Sequence, residues 1–217
     1  MFDDGKSSTM PSPSSTQGNH QPNSSINTPS SSGATNLTSV SSGSSFSNLV
    51  FRRIPAERTI PLRHLVLWPS ISIEFQLVPS YDLSQDTIHT GAFLPSTPHI
   101  EQDPIGILTL AIQPYSNPSS LPVSLQDQDV HVQLHKFAVN PSCQGKSIGR
   151  QLLAYAIRLL REVYCGKRVL LHFDARANQQ RFYQNCGMII LDDNTFVKYG
   201  PNGEGKGVEY VKMGNVI

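Results

Sequence analysis

The stretch Cys143–Arg150 (CQGKSIGR) carries the strongest fold signal in this sequence. It follows a segment that alternates apolar and polar residues and precedes one with apolar residues at helical spacing, which is the pattern of a loop between a strand and a helix. Backbone N–H groups at the start of a helix attract anions, and glycines leave them uncovered. Because Lys146 and Arg150 add positive charge, the loop is a candidate phosphate-binding site. A plain strand–helix turn would also use glycines here.

The segments that flank this loop predict a strand, a long helix, a second strand and a short helix. Val130–Val139 alternates, and Pro141 ends it because proline cannot donate to a strand ladder. The long helix has one apolar face, formed by Ile148, Leu152, Ala156, Leu159, Leu160 and Val163. Val169–Asp174 is largely apolar, as central strands are. Asn178–Cys186 predicts a short helix that ends at Gly187.

The upstream part of the chain predicts three further strands and one helix. Leu49–Ile54 is a short β-prone run. A helix is expected from Thr59, which is a candidate N-cap, to Pro69, where proline stops it. His89–Phe93 and Ile105–Ile112 predict two strands.

The remaining segments complete a fold class. Residues 113–129 form a polar, proline-broken excursion between two strands. Met188–Tyr199 and Gly207–Met213 predict a final strand pair around the turn-rich Gly200–Lys206. The order of strands and helices predicts an α/β domain with a mixed sheet and helices on its faces.

Residues 1–48 differ in composition from the rest of the chain. They contain 16 Ser, 5 Thr and 5 Asn, and their only aromatic residues are Phe2 and Phe46. Such a segment cannot bury enough apolar surface to offset the entropy lost on ordering. We therefore expect a disordered Ser-rich tail followed by one domain over residues 49–217, which is long enough to build a single core.

Charge and cysteine content argue against several classes of protein. Lys and Arg number 17 against 16 Asp and Glu, so no basic excess points to nucleic acid or to a membrane surface. The 3 cysteines form no CxxC pair, which predicts neither a disulfide framework nor a zinc site. Residues 1–30 lack the apolar core of a signal peptide, and no run reaches the ~18 apolar residues of a membrane span. We expect a cytoplasmic protein, with the nucleus as an alternative.

A nucleotide-binding P-loop is the alternative interpretation of the loop. Gly145-Lys146-Ser147 matches the end of that motif. Its first glycine, however, would fall on Asn140, and the residues after Arg150 are too few for the remaining units of a nucleoside triphosphatase. The sequence therefore disfavours an ATPase or a kinase.

Five segments match the motifs of one enzyme family in order and spacing. Gln144, Gly145, Lys146, Ser147, Ile148 and Gly149 resemble the signature (R/Q)-x-x-G-x-(G/A), with serine at the middle glycine, and His135–Pro141 resembles the strand before it. Ala175-Arg176 and Phe182–Met188 resemble the later element A-R…F-Y-x-x-x-G-F, with methionine for the last phenylalanine. Leu62–Pro69 and His89–Phe93 look like segments of a branch of small single-domain members. Over residues 49–217 the chain thus resembles the GNAT N-acetyltransferase superfamily.

This resemblance implies an acyl-CoA N-acyltransferase fold that uses acetyl-CoA as co-substrate and no metal. The coenzyme would lie where two parallel strands, here 130–139 and 169–174, splay apart. Its pantetheine amides would pair with the strand as a missing strand would, and its diphosphate would lie over the loop N–H groups. The residues implied to bind it are Phe137, Ala138, Val139, Gln144, Gly145, Lys146, Ser147, Ile148, Gly149, Arg150 and Asn178.

The resemblance also implies direct attack of an amine on the thioester. That reaction needs a neutral amine, an oxyanion donor and a proton for the departing thiolate. Tyr183 matches the family tyrosine that protonates the thiolate, and the N–H of Val139 is the expected oxyanion donor. His135 and His172 are candidate bases on the strands beside the gap. Further candidates for the base are His131, Asp174 and Glu209.

The expected function is transfer of an acetyl group to a primary amine on a small molecule or peptide, by a monomer or homodimer. The alternative is a non-catalytic acyl-CoA-binding or regulatory module on the same fold. It stays open because Ser147 and Met188 depart from the family motifs and because the sequence identifies no residue as the base.

Overall fold

The computed structural model of this chain describes residues 48–95, 102–199 and 206–217. Within these ranges seven strands form one sheet in the order β1-β2-β3-β4-β5-β7-β6. They are β1 (Val50–Arg53), β2 (Ile88–Phe93), β3 (Gly106–Ile112), β4 (Val130–Val139), β5 (Val169–Arg176), β6 (Ile189–Lys198) and β7 (Val208–Val216). β4 and β5 are parallel, and the other neighbouring strands are antiparallel. The predicted mixed sheet is confirmed.

The long helix α3 (Ile148–Val163) covers one face of this sheet, as its apolar spacing predicted. Its buried residues are Ile148, Leu152, Leu153, Ala156, Leu159 and Leu160. Leu153 was not predicted on this face, and Val163, which was, is exposed near the end of the helix. The buried residues pack in one core with side chains of β4 and β5 that include Val132 and Leu171. Full burial of an aliphatic side chain contributes roughly 1.5–3 kcal/mol. This packing fixes where the N-terminus of α3, and the loop before it, lie relative to the sheet.

The helix predicted from Thr59 is irregular. It comprises a 3-10 turn (Ala56–Thr59), a single α-turn α1 (Ile60–Leu62) and a wider π-turn (Arg63–Leu67). The Thr59 hydroxyl donates to the carbonyl of Ala56 at 2.6 Å, so it does not cap α1 as predicted. Apolar spacing over so few residues does not separate an α-turn from a π-turn, which is why the sequence could not reveal the change.

A second helical turn, α2 (Pro79–Asp82), precedes β2. This turn and the π-turn lie on the face of the sheet that α3 does not cover. The π-turn contacts β4 there. Side chains from these two turns therefore reach the surface of β4 that faces away from α3.

The segment 113–129, which the sequence predicted to be a polar excursion, buries several apolar side chains against the sheet. It contributes three buried residues to a small cluster on the other face of the sheet, formed by Tyr115, Leu121, Leu125, Leu170 and Leu191. Because these apolar residues are spread between prolines and polar residues, no periodicity marked them. The segment therefore packs over β5 and also connects β3 to β4.

The predicted short helix forms as a 3-10 turn (Ala177–Gln179) followed by α4 (Gln180–Gln184). Asn178 lies inside the 3-10 turn, and Gln179 occupies the N-cap position of α4. Asn178, where the sequence predicted this helix to begin, is therefore not the N-cap of α4. Gly187 follows with a φ of +84°, a left-handed conformation that suits glycine at a helix end, as predicted.

Several predictions concern residues outside the described ranges. They are the disordered Ser-rich tail over 1–48, of which only the last residue is described, and most of the turn over Gly200–Lys206. The domain boundary at residue 49 likewise stays a prediction. In the part of the chain that is described, no helix is long and apolar enough to cross a membrane.

Candidate active site

The two parallel strands separate halfway along their length. β4 and β5 pair from Val130 opposite Val169 to Gln133 opposite His172 and no further. Beyond that point β4 pairs only with β3, and β5 pairs only with β7. The sheet therefore opens into a wedge between the C-terminal halves of β4 and β5, as the resemblance implied.

A β-bulge lies on the β4 side of this wedge. Thr109 of β3 is opposite His135 and Ile107 is opposite Ala138, so a single β3 residue faces both Lys136 and Phe137. Lys136 has a φ of +46°, which is unusual for lysine. The extra residue resets the alternation of the strand, because two consecutive residues then face the same side.

The bulge divides the side chains of β4 between the two faces. Phe137 and Val139 face α3, since a Cβ on Gly149 would lie 3.4 Å and 3.7 Å from their atoms. His135 stacks on Tyr81 of α2 and Lys136 lies over Trp68, which follows the π-turn. His135 and Lys136 therefore share the face that α1 and α2 cover. Nothing in the sequence predicted this bulge, because lysine has no preference for a positive φ.

The loop before α3 presents unpaired backbone donors. Gly145 has a φ of +74° and Ser147 a φ of +61°, both left-handed. Serine in this conformation costs about 1–2 kcal/mol, a strain that the glycine of the family signature avoids. Within the described part of the chain, the N–H groups of Gly145, Ser147, Ile148, Gly149 and Arg150 donate to no acceptor. Ser147 therefore takes, at a cost, a left-handed conformation that glycine takes without strain.

Side-chain hydrogen bonds hold the loop in place. The Asn140 side chain accepts from the Ser142 N–H at 3.1 Å, and Lys146 Nζ donates to the carbonyl of Ser142 at 3.0 Å. Gln144 Nε2 donates to the carbonyl of Val139 at 3.0 Å. The Val139 carbonyl, at the edge of the wedge, therefore already has a hydrogen-bond partner.

Tyr183 of α4 lies against the wedge on the α3 face. Its ring centroid is 4.5 Å from that of Phe173 on β5, 5.0 Å from Phe182 and 6.3 Å from Phe137 on β4. Burial raises the pKa of the Tyr183 hydroxyl above its usual range. The phenol therefore stays protonated at neutral pH, which a proton donor requires.

The two predicted histidines meet at one glutamine. His135 Nε2 is 2.9 Å from Gln113 Oε1, and His172 Nε2 donates to the backbone carbonyl of Gln113 at 2.9 Å. Burial lowers the pKa of His135 to about 4, with Lys136 adding to the effect, and burial also lowers the pKa of His172. Both rings are neutral at pH 7. Gln113 lies in the segment read as a polar excursion, and no local signal marked it as their partner.

Two of the other three candidate bases have partners of their own. Asp174 accepts from Lys198 at 2.5 Å and pairs with Lys212 at 3.5 Å. Burial raises the pKa of Asp174, but the bond and charge of Lys198 outweigh it and hold the pKa below its usual value. His131 Nδ1 accepts from the Tyr115 N–H at 2.9 Å. Asp174 and His131 are therefore less available as bases than their sequence positions indicated. Glu209 is exposed on β7.

A buried ion pair supports the wall opposite β4. Arg63 donates to both carboxylate oxygens of Asp82, at 2.5 Å and 2.8 Å, and also to the Thr109 hydroxyl at 3.0 Å. Both charged side chains are 0% exposed. Asp82 follows Tyr81, so the pair ties the π-turn to α2 and fixes the aromatic side chains that face His135 and Lys136. The sequence did not single out either residue.

Three histidines with lowered pKa values predict how stability depends on pH. Burial lowers the pKa of His89, His135 and His172, so the folded chain binds fewer protons than the unfolded chain just below the usual histidine pKa. We expect the free energy of unfolding to fall as the pH decreases from about 7 to about 5, by at most ~1.4 kcal/mol per pH unit for each histidine. Urea unfolding across this range measures it. An equal free energy of unfolding at pH 7 and at pH 5 would contradict the lowered pKa values of these histidines.

Solved structures with this fold include several acyltransferases. The structure of Arabidopsis thaliana NAA60 in complex with acetyl-CoA has a TM-score of 0.59 at 17% identity and covers 78% of this chain and 99% of its own. Escherichia coli ElaA has a TM-score of 0.53 at 16% identity, over 77% of this chain and 99% of its own. At such identities the likeness supports the fold. Among the described residues, no group of three or more His, Cys, Asp or Glu could hold a metal ion.

The sequence comparisons identify the family. No curated protein matches this chain. The sequence profile of the Acetyltransferase (GNAT) family matches residues 67–188, which is more than half of the chain. The match includes the wedge, the loop before α3 and Tyr183. This chain belongs to the GNAT acetyltransferase family.

Proposed function

We propose that this chain transfers the acetyl group of acetyl-CoA to a primary amine of a small molecule or peptide, by direct attack of the amine on the thioester. One observation carries the proposal. The wedge between β4 and β5 opens beside a loop whose backbone N–H groups have no acceptor among the described residues. A chain edge next to an anion site suits a ligand that has an amide-containing arm and a diphosphate.

The loop suits the diphosphate by its backbone. The N–H groups of Gly145, Ser147, Ile148, Gly149 and Arg150 lie at the positive end of the α3 dipole. The side chains of Lys146 and Arg150 add positive charge, and Gln144 and Asn178 were predicted to line the same ligand. These assignments rest on the family signature and on the geometry of the loop.

The edge of β4 suits the pantetheine arm. Phe137, Ala138 and Val139 have no partner on β5, so their strand offers the pairing that a further strand would use. The Val139 carbonyl is the exception in the free chain, because Gln144 bonds to it. We propose that binding the coenzyme displaces the Gln144 side chain toward the loop.

The chemistry needs groups on both sides of the wedge. The Val139 N–H would stabilise the oxyanion, and the Tyr183 hydroxyl would protonate the leaving thiolate. Tyr183 suits that role by its position, because its ring packs on Phe173 at the wedge and its hydroxyl donates to no group among the described residues. His135 and His172 stay predictions for the base, with Nδ1 of each ring as the basic atom, since Nε2 is bonded to Gln113.

Thiol release tests the proposal against its alternative. The full chain is incubated with acetyl-CoA and a panel of peptides, amino sugars and polyamines, and free CoA is measured with a thiol reagent. Release that depends on one class of amine supports the enzyme and names the acceptor. Stabilisation by CoA without release from any amine would support the binding module instead.

Gly149→Val is expected to abolish stabilisation by CoA. A ligand at 100 times its Kd stabilises the folded state by about 2.7 kcal/mol, which the wild-type chain should show as a rise in Tm. A Cβ on Gly149 meets only ordinary contacts, the nearest being Phe137 at 3.4 Å and Phe182 at 3.5 Å. The branched side chain of valine adds bulk beside the unpaired N–H groups, where the diphosphate would approach.

Gly149→Ala is the matched control for this experiment. It adds the same Cβ without the two further methyl groups, so the variant should fold and keep most of the Tm rise. A Gly149→Val protein that folds and retains the full rise would contradict the assignment of the loop.

A further inference from the structure

Lys136 has surroundings that the sequence did not reveal. Its Nζ lies 3.6 Å from the ring centroid of Trp68 and 5.9 Å from that of Tyr81. It forms no hydrogen bond or ion pair with any described residue. A lysine amine that is half-buried between two rings, with no carboxylate bound to it, is unusual, because such groups are normally solvated or paired.

The charged groups around Lys136 do not neutralise it. From the π-turn it faces Arg63, from α2 Asp82, and from β6 Lys198, while His135 precedes it on its own strand. Asp82 is the acid among these, and both of its carboxylate oxygens are bonded to Arg63. Burial, with help from Arg63 and Lys198, lowers the pKa of Lys136 to about 7. Much of this lysine is therefore uncharged at neutral pH.

The backbone determines where this amine lies. The bulge places Lys136 just past Gln133, the last β4 residue that pairs with β5, and on the face that α1 and α2 cover. A left-handed lysine costs of order 1–2 kcal/mol, so the surrounding packing must hold it there. The result is an amine beside the mouth of the wedge, across β4 from Tyr183.

We propose that Lys136 is the catalytic base of the acetyl transfer, taking the proton from the acceptor nitrogen as that nitrogen attacks the thioester carbon. This assignment rests on the proposed function. The N–C bond forms and the C–S bond breaks, so the sulfur takes the bonding electron pair and then a proton from Tyr183. Lys136 becomes an ammonium group and releases its proton to water, and Tyr183 regains a proton from water.

Lys136 suits this step better than the two histidines. A base is most effective when its pKa is close to the working pH. Burial lowers the pKa of His135 to about 4 and also lowers the pKa of His172, so both rings are weaker bases than an ordinary histidine. The amine of Lys136 has a pKa of about 7 and forms no hydrogen bond with a described residue.

Two substitutions separate a base from a positive charge. Lys136→Arg keeps a cation that cannot give up its proton at neutral pH, and Lys136→Met keeps only the aliphatic length. Both are expected to lower kcat by roughly 10²–10⁴, with an amine that the wild-type chain acetylates, and to remove the acidic limb of the kcat/KM profile near pH 7. Lys167→Met, at an exposed lysine after α3, is the matched control and should retain activity.

The outcomes distinguish this assignment from the function itself. Full activity in Lys136→Arg would overturn the assignment of Lys136 as the base and show that only its positive charge matters. An unchanged pH profile in Lys136→Met would show that neither a base nor a charge is needed at this position. The Tm rise with CoA should persist in each variant, which shows that the coenzyme site is intact. If the wild-type chain binds CoA but acetylates no amine, the proposed function fails and the base fails with it.

A second measurement needs no acceptor. The full chain is labelled competitively with acetic anhydride at a series of pH values, and acetylation of each lysine is followed by mass spectrometry. Acetylation of Lys136 should rise with a midpoint near pH 7, well below the pKa of about 10.4 of lysine in a model peptide. A midpoint for Lys136 above about pH 9 would overturn the proposal whatever the acceptor is.

Discussion

Replacing Tyr183 by phenylalanine is expected to lower kcat by roughly 10²–10⁴, the usual contribution of a positioned proton donor. The ring packs against Phe173, Phe182 and Phe137, and phenylalanine keeps all of these contacts. The substitution removes only the hydroxyl, which bonds to no group among the described residues, so folding should change little. Affinity for CoA should stay within a few-fold, because the proposed binding groups are backbone atoms of β4 and the loop.

Steady-state kinetics at several pH values measure this effect. Tyr155→Phe is the matched control, because Tyr155 stacks on Phe51 at 5.6 Å and lies on α3 away from the wedge. It should lose no activity. If Tyr183→Phe keeps the wild-type kcat, Tyr183 is a packing residue and solvent protonates the thiolate. Loss of CoA affinity with kcat retained would make it a binding residue.

The sheet and the loop before α3 could be predicted because their signals are local. The alternation of Val130–Val139, the apolar face of α3 and the glycines of Cys143–Arg150 each follow from neighbouring residues. Gly187 could likewise be placed from the sequence, because a left-handed helix end favours glycine. The predicted order of strands and helices along the chain and the family motifs then pointed to the same fold.

The chemistry around the wedge depends on contacts distant in sequence, which no local pattern reports. The bulge at Lys136 is visible only once β3 is paired with β4. Gln113 bonds to His135, 22 positions later, and to His172, 59 positions later, and an isolated glutamine carries no signal of such a role. The sequence identified the histidines as polar residues beside the gap but could not reveal that burial keeps them neutral.

The buried pair of Arg63 and Asp82 could not be predicted for the same reason. In the sequence Arg63 is one charged residue within an apolar helical stretch, and Asp82 follows a proline-containing turn. Only the fold brings Asp82 and Thr109 to the guanidinium. The pair matters to the proposed chemistry because it fixes Trp68 and Tyr81, the two rings that surround Lys136.

Arg63→Met is expected to reduce the free energy of unfolding by about 3–5 kcal/mol, because it leaves the Asp82 carboxylate buried without its counter-charge. Urea unfolding measures the loss. Arg158→Met is the matched control, since Arg158 and Glu162 form an ion pair with side chains 68% and 65% exposed, and such surface pairs contribute roughly 0–1 kcal/mol. A loss of less than 1 kcal/mol in Arg63→Met would contradict the buried pair.

The same pair predicts a dependence on acid. Burial raises the pKa of Asp82, but the hydrogen bonds and charge of Arg63 outweigh it and hold the pKa below its usual value. The stability from this carboxylate is therefore present above the unfolded pKa of about 3.9 and is lost as the pH falls below it.

Removing both charges, as in Arg63→Met with Asp82→Leu, should recover much of the stability lost in the single variant, because no buried charge is left unpaired. If the double variant is instead as unstable as Arg63→Met alone, the loss comes from the Thr109 and backbone contacts of Arg63.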